Sequence, residues 1–333
     1  MFWDVSRLQI SSRTTWEEQV IGYWTPERMR KAKPIEHLRN NASFSSTSEK
    51  PFSQTLVNIH EPLTIIEPTA PDNFTLQSRL ISPNNQATKT VGKVFFRTLE
   101  GGDATCSGSV VTAPSKSLVV TAGHCVFDLS THTRHSNWIF IPDYDDGAAP
   151  LKKWPAKYVT ALQAYTTSSY LSPNRNYDVG FVVVSPVNSL RIAQVTGSQG
   201  IMFNAPRNQL TFSFGYPGNI ANAEIMSVCI SKAMPKRCNV PGFVGQSLRC
   251  GMTQGSSGGP WILNFVATIG IGFINSVNSF GCNAAPNMLH GPYFDSNIKG
   301  WAKNSGTPNV NPSLLKADLG PDTWKSHEIF RMY

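Results

Sequence analysis

From about residue 90 onward the chain alternates short apolar, often β-branched runs with clusters of glycine, proline and asparagine. The runs 91–96, 106–111, 118–121, 138–141, 159–164, 181–184, 209–216, 225–230, 261–266 and 269–275 have the length of strands rather than helices. Regular short strands separated by turns imply an all-β barrel architecture. A turn at 114–116 folds the second run back onto the third as a hairpin. Helix signals are confined to the ends. Thr25 caps a predicted helix over 26–37 with Pro26 at its first position, and 298–303 reads as a short terminal helix. A Ser/Thr-rich linker follows at 42–55. The organisation expected is an N-terminal extension at 1–85, a β domain at 86–303 and a loosely attached tail at 304–333.

Composition changes this picture little. The chain has 333 residues, 40% of them hydrophobic and only 15% charged, with 25 glycines and 23 prolines. One sizeable core with appendages and many turns fits these figures. No run of 18 apolar residues occurs, so no transmembrane helix is expected. The net charge of +8 raises the question of a nucleic-acid partner, but apart from residues 28–33 the Lys and Arg are scattered, which reads as a generic cationic surface. Six cysteines without a CxxC pair favour three disulfides over zinc, and with them an oxidising compartment. The first ten residues carry no positive n-region followed by a long apolar stretch. The expectation is therefore a sequence that starts after, or without, its export signal. Asn41 and Asn73 sit in glycosylation sequons, in keeping with secretion.

Three short stretches carry candidate chemistry. In 251–260 (GMTQGSSGGP), Ser257 lies in a glycine-rich loop just before the apolar 261–263. A serine hydroxyl attacks poorly unless a base accepts its proton and backbone N–H groups receive the developing oxyanion. Gly255, Gly258 and Gly259 permit such a loop, with the N–H groups of Gly255 and Ser257 as the natural donors. In 119–125 (VVTAGHC), a β-branched strand ends in a small-residue turn that presents His124, the usual general base near neutral pH. In 176–184, Asp178 stands at the mouth of a strand too apolar to be exposed, and such a carboxylate needs a partner. Accepting an imidazole N–H would fix the histidine tautomer and stabilise the imidazolium.

The stretches 121–125 (TAGHC), 177–180 (YDVG) and 255–260 (GSSGGP), in that order, resemble the three catalytic motifs of the trypsin/chymotrypsin-like serine peptidases. The resemblance spans roughly residues 90–303. Phe214-Gly215-Tyr216-Pro217, Met252-Thr253 and Gly291-Pro292-Tyr293-Phe294 look like the secreted microbial branch related to the glutamyl endopeptidases. It implies two antiparallel six-stranded β-barrels with the site between them, His124 and Asp178 coming from the first and Ser257 from the second. It also implies a Cys106–Cys125 bridge, and it favours Cys229 with Cys250 and Cys238 with Cys282, although Cys250 with Cys282 suits a specificity-pocket bridge equally well.

By position Ser276 resembles the serine that supports the catalytic aspartate, and 276–278 (Ser276, Val277, Asn278) the edge that pairs with an extended substrate. Six residues before the nucleophile, where trypsin-like enzymes place an acid, stands Gly251. The histidine that glutamyl endopeptidases place before the supporting serine is replaced by Asn275. With Met252, these residues imply an uncharged specificity pocket. The stretch from Tyr23 through Pro34 is similar to part of these peptidases' pro-regions. The resulting expectation is a secreted, monomeric serine endopeptidase acting on protein or peptide substrates through an acyl-enzyme on Ser257, with no cofactor or metal and no nucleic-acid or membrane partner. The rivals are a catalytically silent peptidase-fold binding module and a basic nucleic-acid-binding protein.

Overall fold

The computed structural model describes residues 14–35, 63–70, 89–282 and 285–299. The sequons, the linker at 42–55 and the tail at 304–333 lie outside these residues. In chain order the main strands are β1 (Lys33–Pro34), β2 (Thr64–Ile66), β3 (Val91–Arg97), β4 (Asp103–Val111), β5 (Leu118–Thr121), β6 (Ser136–Pro142), β7 (Trp154–Ala161), β8 (Gly180–Val184) and β9 (Gly200–Phe203). They continue with β10 (Leu210–Gly215), β11 (Ser227–Lys232), β12 (Met234–Pro235), β13 (Gln246–Arg249), β14 (Pro260–Val266), β15 (Ile271–Val277), β16 (Phe280–Cys282) and β17 (Ala285–Gly291). Nearly every one of the ten runs read from the sequence coincides with a strand, shifted by a few residues at its ends.

The first half closes. Strands β4-β3-β6-β7-β8-β5 form a sheet whose last member pairs back with β4, giving a six-stranded antiparallel barrel. Its interior is filled by side chains such as Val94, Phe96, Val110, Phe140, Trp154 and Val182, all essentially inaccessible. The second half is consistent with the expected second barrel, although its strands do not close into one ladder. It consists of a six-stranded sheet, β11-β10-β14-β15-β9-β2, and a separate four-stranded sheet, β12-β13-β17-β16. Register shifts interrupt the β14–β15 and β16–β17 pairings. Cys229–Cys250 spans the two sheets, joining β11 to the end of β13, whereas Cys238–Cys282 braces the four-stranded sheet, tying the loop before β13 to β16. Cys106–Cys125 is bonded inside the first half.

Lys93 of β3 joins the halves. Its ammonium is fully buried, pairs with Glu224 at 2.8 Å and lies 4.6 Å from the centre of the Tyr144 ring, whose hydroxyl also donates to Glu224. Burial lowers the Lys93 pKa although Glu224 opposes the shift.

The N-terminal segment folds as two capped helices rather than one. Helix α1 (Trp16–Tyr23) starts with a capping box, Thr15 accepting from the Glu18 N–H while the Glu18 carboxylate receives the Thr15 N–H. Helix α2 (Pro26–Lys31) starts at Thr25 with Pro26 in the first turn, as read from the sequence, but stops six residues before 37. Pro34 explains the stop: it disfavours helical geometry at Lys33, and the chain becomes extended as β1.

Candidate active site

His124 sits in a single 3₁₀ turn (Gly123–Cys125) directly after β5. Asp178 follows a similar turn (Arg175–Tyr177) before β8, and β5 pairs with β8, so the closed barrel brings both to one rim. The contact is double: Asp178 Oδ2 lies 2.8 Å from His124 Nδ1, while Oδ1 accepts the His124 backbone N–H at 2.9 Å. Asp178 is wholly buried and His124 nearly so. Burial by itself would raise the Asp178 pKa, but the neighbouring His124, its two hydrogen bonds and a further one from Ser279 outweigh it and hold the carboxyl below its ordinary value. The site thus maintains an ionised carboxylate against Nδ1, which leaves Nε2 to handle a proton.

Ser257 reaches this rim from the second half. Its carbonyl accepts the Ser107 N–H of β4 at 2.7 Å and lies 3.6 Å from the sulfur of Cys125, the residue after His124. The glycine loop is locked from several sides. Gly258 has φ +81°, and a Cβ there would lie 2.1 Å from Thr121 Oγ1, so only glycine fits. Gly255 has φ +93°; its carbonyl accepts from the Ser107 hydroxyl, whose oxygen in turn accepts the Tyr216 N–H. Ser256, where chymotrypsin-like zymogens carry an aspartate, donates its hydroxyl to the Thr253 carbonyl at 2.8 Å.

Beside Ser257 opens a cavity of about 330 Å³ whose walls include Gly251, Met252, Thr253, Ser279, Phe280 and Met288. Among the described residues, no charged side chain lines it. Gly251 and Met252 are among the residues that line it.

Ser276 and Val277 do not line the cavity. Ser276 and Val277 are inside the β14–β15 pairing, opposite Trp261 and Pro260, and the Ser276 hydroxyl donates to the Pro292 carbonyl at 2.6 Å. The serine that holds Asp178 is Ser279, with Oγ 2.5 Å from Oδ2. It precedes β16, an edge strand of the four-stranded sheet, so the accessible edge is 279–281, three residues further on. Asn278 lies on the cavity wall with its side chain engaged within the fold. Its Oδ1 accepts from Trp261 Nε1 and Ser213 Oγ, and its Nδ2 donates to the carbonyls of Phe214 and Ser256, all within 3.0 Å. The slip has a physical origin, because an apolar run marks where a strand begins but not how far its register carries. Ser279-Phe280-Gly281, a serine followed by an aromatic and a glycine just past the strand, was the signal that could have found the correct position.

The groupings suited to metal ligation among the described residues comprise Cys106, His124 and Cys125, but the two sulfurs are bonded to each other and offer no thiolate.

A closed barrel presenting a histidine–aspartate pair to a serine in a glycine loop defines the chymotrypsin-like serine protease class. Two solved structures support it at the level of sequence. The protease Anisep from Arthrobacter nicotinovorans is 39% identical, with a TM-score of 0.58 over 65% of this chain and 94% of that one. A thermostable serine protease, AL20, from an extremophilic microorganism is 32% identical, with a TM-score of 0.56 over 64% and 94%. A Glu endopeptidase, at 14% identity and a TM-score of 0.51, shares the fold. No family model and no curated protein matches the chain. The chain belongs to the trypsin/chymotrypsin-like serine proteases.

Proposed function

We propose that the protein is a secreted serine endopeptidase made as a zymogen. The observation that carries this reading is the buried Asp178 carboxylate bonded to both the ring and the backbone of His124, with Ser257 anchored one residue away at Cys125. Proton handling at Nε2 accounts for an ionised carboxylate kept dry against an imidazole despite its desolvation cost. His124 takes the Ser257 proton as the hydroxyl attacks the scissile carbonyl. The N–H groups of Gly255 and Ser257 receive the oxyanion, His124 returns the proton to the leaving amine, and water repeats the sequence to release the acid. Three disulfides fit an extracellular enzyme. The uncharged cavity favours an uncharged substrate side chain before the scissile bond.

Two measurements test the reading. Ser257→Ala and His124→Ala should each lower peptide hydrolysis by at least about a thousandfold with the fold intact, since members of such a unit fail together. Near wild-type turnover in either variant would sink the mechanism. A peptide library should show cleavage after uncharged residues, and strict cleavage after Glu, or after Arg and Lys, would refute the pocket assignment.

A further inference from the structure

The outer edge of β4 is occupied three times over. Val111, Val110 and Ser109 pair with β5, the Ser107 N–H holds the carbonyl of Ser257, and Thr105 and Ala104 pair with Pro34 and Lys33 of β1. The third occupant comes from the N-terminal segment and lies alongside the first barrel without belonging to its closed ladder. The Ile35 N–H donates to the Thr105 carbonyl at 3.1 Å, so two residues beyond the contact with the nucleophile the edge is sealed by the protein's own chain.

The seal extends to the oxyanion loop. A Cβ placed on Gly255 would lie 3.3 Å from Pro34 Cβ, and one on Gly218 would lie 3.1 Å from Pro34 Cγ. The proline ring is therefore packed between two glycines, one of which is the proposed oxyanion donor.

This segment is not loosely laid down. Trp24 and Met29 are fully buried in the main core, the indole N–H donates to the Asn137 carbonyl at 2.6 Å, and Lys153 Nζ reaches the Trp24 carbonyl. At the start of β4, Asp103 receives both Arg28 and the Tyr23 hydroxyl at 2.6 Å, and Arg30 binds Asp146.

A substrate held across Ser257 has two halves. The acyl half has the uncharged cavity and the free edge at 279–281. The other half must leave Ser257 on the side of Ser107 and Gly255, toward the β4 edge, since these lie against the nucleophile's own carbonyl and loop. Extended peptides add to such edges through their main chain.

We infer that residues 33–35 are a resident occupant of the leaving-group side of the cleft, a peptide ligand supplied by the chain itself and held there by residues 16–32. Resting on the endopeptidase reading, the inference adds how the site is regulated. The segment excludes polypeptide substrates by filling the β4 edge while leaving the His124–Asp178 pair assembled. Severing the chain between Ile35 and Leu63 does not by itself open the site, because the strap is held by side-chain contacts; activation requires the strap to leave.

The test compares two substrates with the same acyl half on the full-length protein. One is a peptide anilide with nothing beyond the scissile bond but the aromatic amine, and the other is an internally quenched peptide with four residues beyond it. In the variant Trp24→Ala with Arg28→Ala, which loosens the strap, kcat/KM for the quenched peptide should rise at least about tenfold through KM, with the anilide changing less than about threefold. A fall in both would show that the strap braces the oxyanion loop instead, and no change in either would make it a bystander; each overturns the inference. If the double variant does not fold, a cleavage site is inserted between 36 and 62, the protein is cut, the severed strap is removed by gel filtration in mild denaturant, and a synthetic peptide of residues 14–35 is titrated into the refolded remainder. Competitive inhibition of the quenched peptide supports the inference, and its absence refutes it. If no form turns over either substrate or is labelled by an active-site phosphonate, the endopeptidase reading itself fails, and the inference with it.

Discussion

The two halves of the molecule solve the same problem differently. In the first, six strands close into one ladder, and β4, β5 and β8 are buried over almost their whole length. In the second, β11 alternates between half-buried and exposed positions and the strands fall into two sheets; Cys229–Cys250 links the sheets, Cys238–Cys282 braces the four-stranded one, and the side chain of Asn278 ties the six-stranded one to the glycine loop. His124 and Asp178 are placed on the closed half, while Ser257 and the cavity are placed on the stapled half. Backbone pairing is cooperative and insensitive to single side chains, whereas a stapled region depends on a few residues. The chemistry at His124 should therefore tolerate substitution around it, and the shape of the substrate pocket should not.

The largest effect that breaks this contrast is expected at Asn278. Asn278→Ala removes four hydrogen bonds and strands Trp261 Nε1 and Ser213 Oγ in the interior, which should cost about 3–5 kcal/mol in denaturant unfolding. Thr105→Ala in the first barrel, where the hydroxyl only turns back on its neighbour's carbonyl at 3.4 Å, should cost under about 1 kcal/mol. Equal losses would erase the distinction.

Removing Cys238–Cys282 by a double Cys→Ser change opens a loop with a sequence separation of 44. The chain-entropy model gives about 4 kcal/mol for a loop of that size. Hydrogen exchange should accelerate around β13, β16 and β17 while the amides of β3 to β8 stay protected. Uniform loosening of both halves would contradict the picture.

His290 offers a pH handle on the stapled half alone. It is fully buried, stacked on Phe280 at 4.9 Å, and burial lowers its pKa from 6.5 to about 4. The unfolded chain takes up a proton below pH 6.5 while the folded one does not until about pH 4, so stability falls as pH drops through that window and is fully present above it. The shift corresponds to about 3 kcal/mol. Melting temperatures between pH 4 and 7 should fall steeply for the wild type and less for His290→Gln, and parallel curves would refute the assignment.

The smallest effect sharpens the site. Ser279→Ala removes a hydroxyl donor from the Asp178 carboxylate and should lower kcat about tenfold, the equivalent of one charge-assisted hydrogen bond at about 1.4 kcal/mol. Ser276→Ala should leave kcat within about twofold, because its hydroxyl serves Pro292. The reverse order would restore the register expected from sequence.

The same contrast decides what could be read from the sequence. In the first half, β-branched runs such as Val119-Val120-Thr121 and Val182-Val183-Val184 mark their own strands, and hydrophobic periodicity suffices for the strands and the hairpin, whereas the placement of His124 and Asp178 on one barrel came from the resemblance of their motifs. The glycine loop of Ser257 was legible because only glycine meets its backbone demands. β13, β16 and β17 were missed, since Gln246, Ser247, Gly281, Pro286 and Asn287 carry no strand pattern and are held by tertiary links instead. The substrate edge was misplaced by three residues for that reason. Trp24 and Met29 were visible as a motif, but nothing local shows that an N-terminal segment is buried against a barrel beginning some sixty residues later.

The central claim is that Ser257 is a nucleophile activated by His124. The most direct measurement is covalent labelling of the full-length protein with a peptidyl phosphonate bearing an uncharged side chain, followed by peptide mapping. A single adduct is expected on the peptide carrying Ser257, absent in His124→Ala. Labelling elsewhere, or equal labelling of the wild type and His124→Ala, would contradict it.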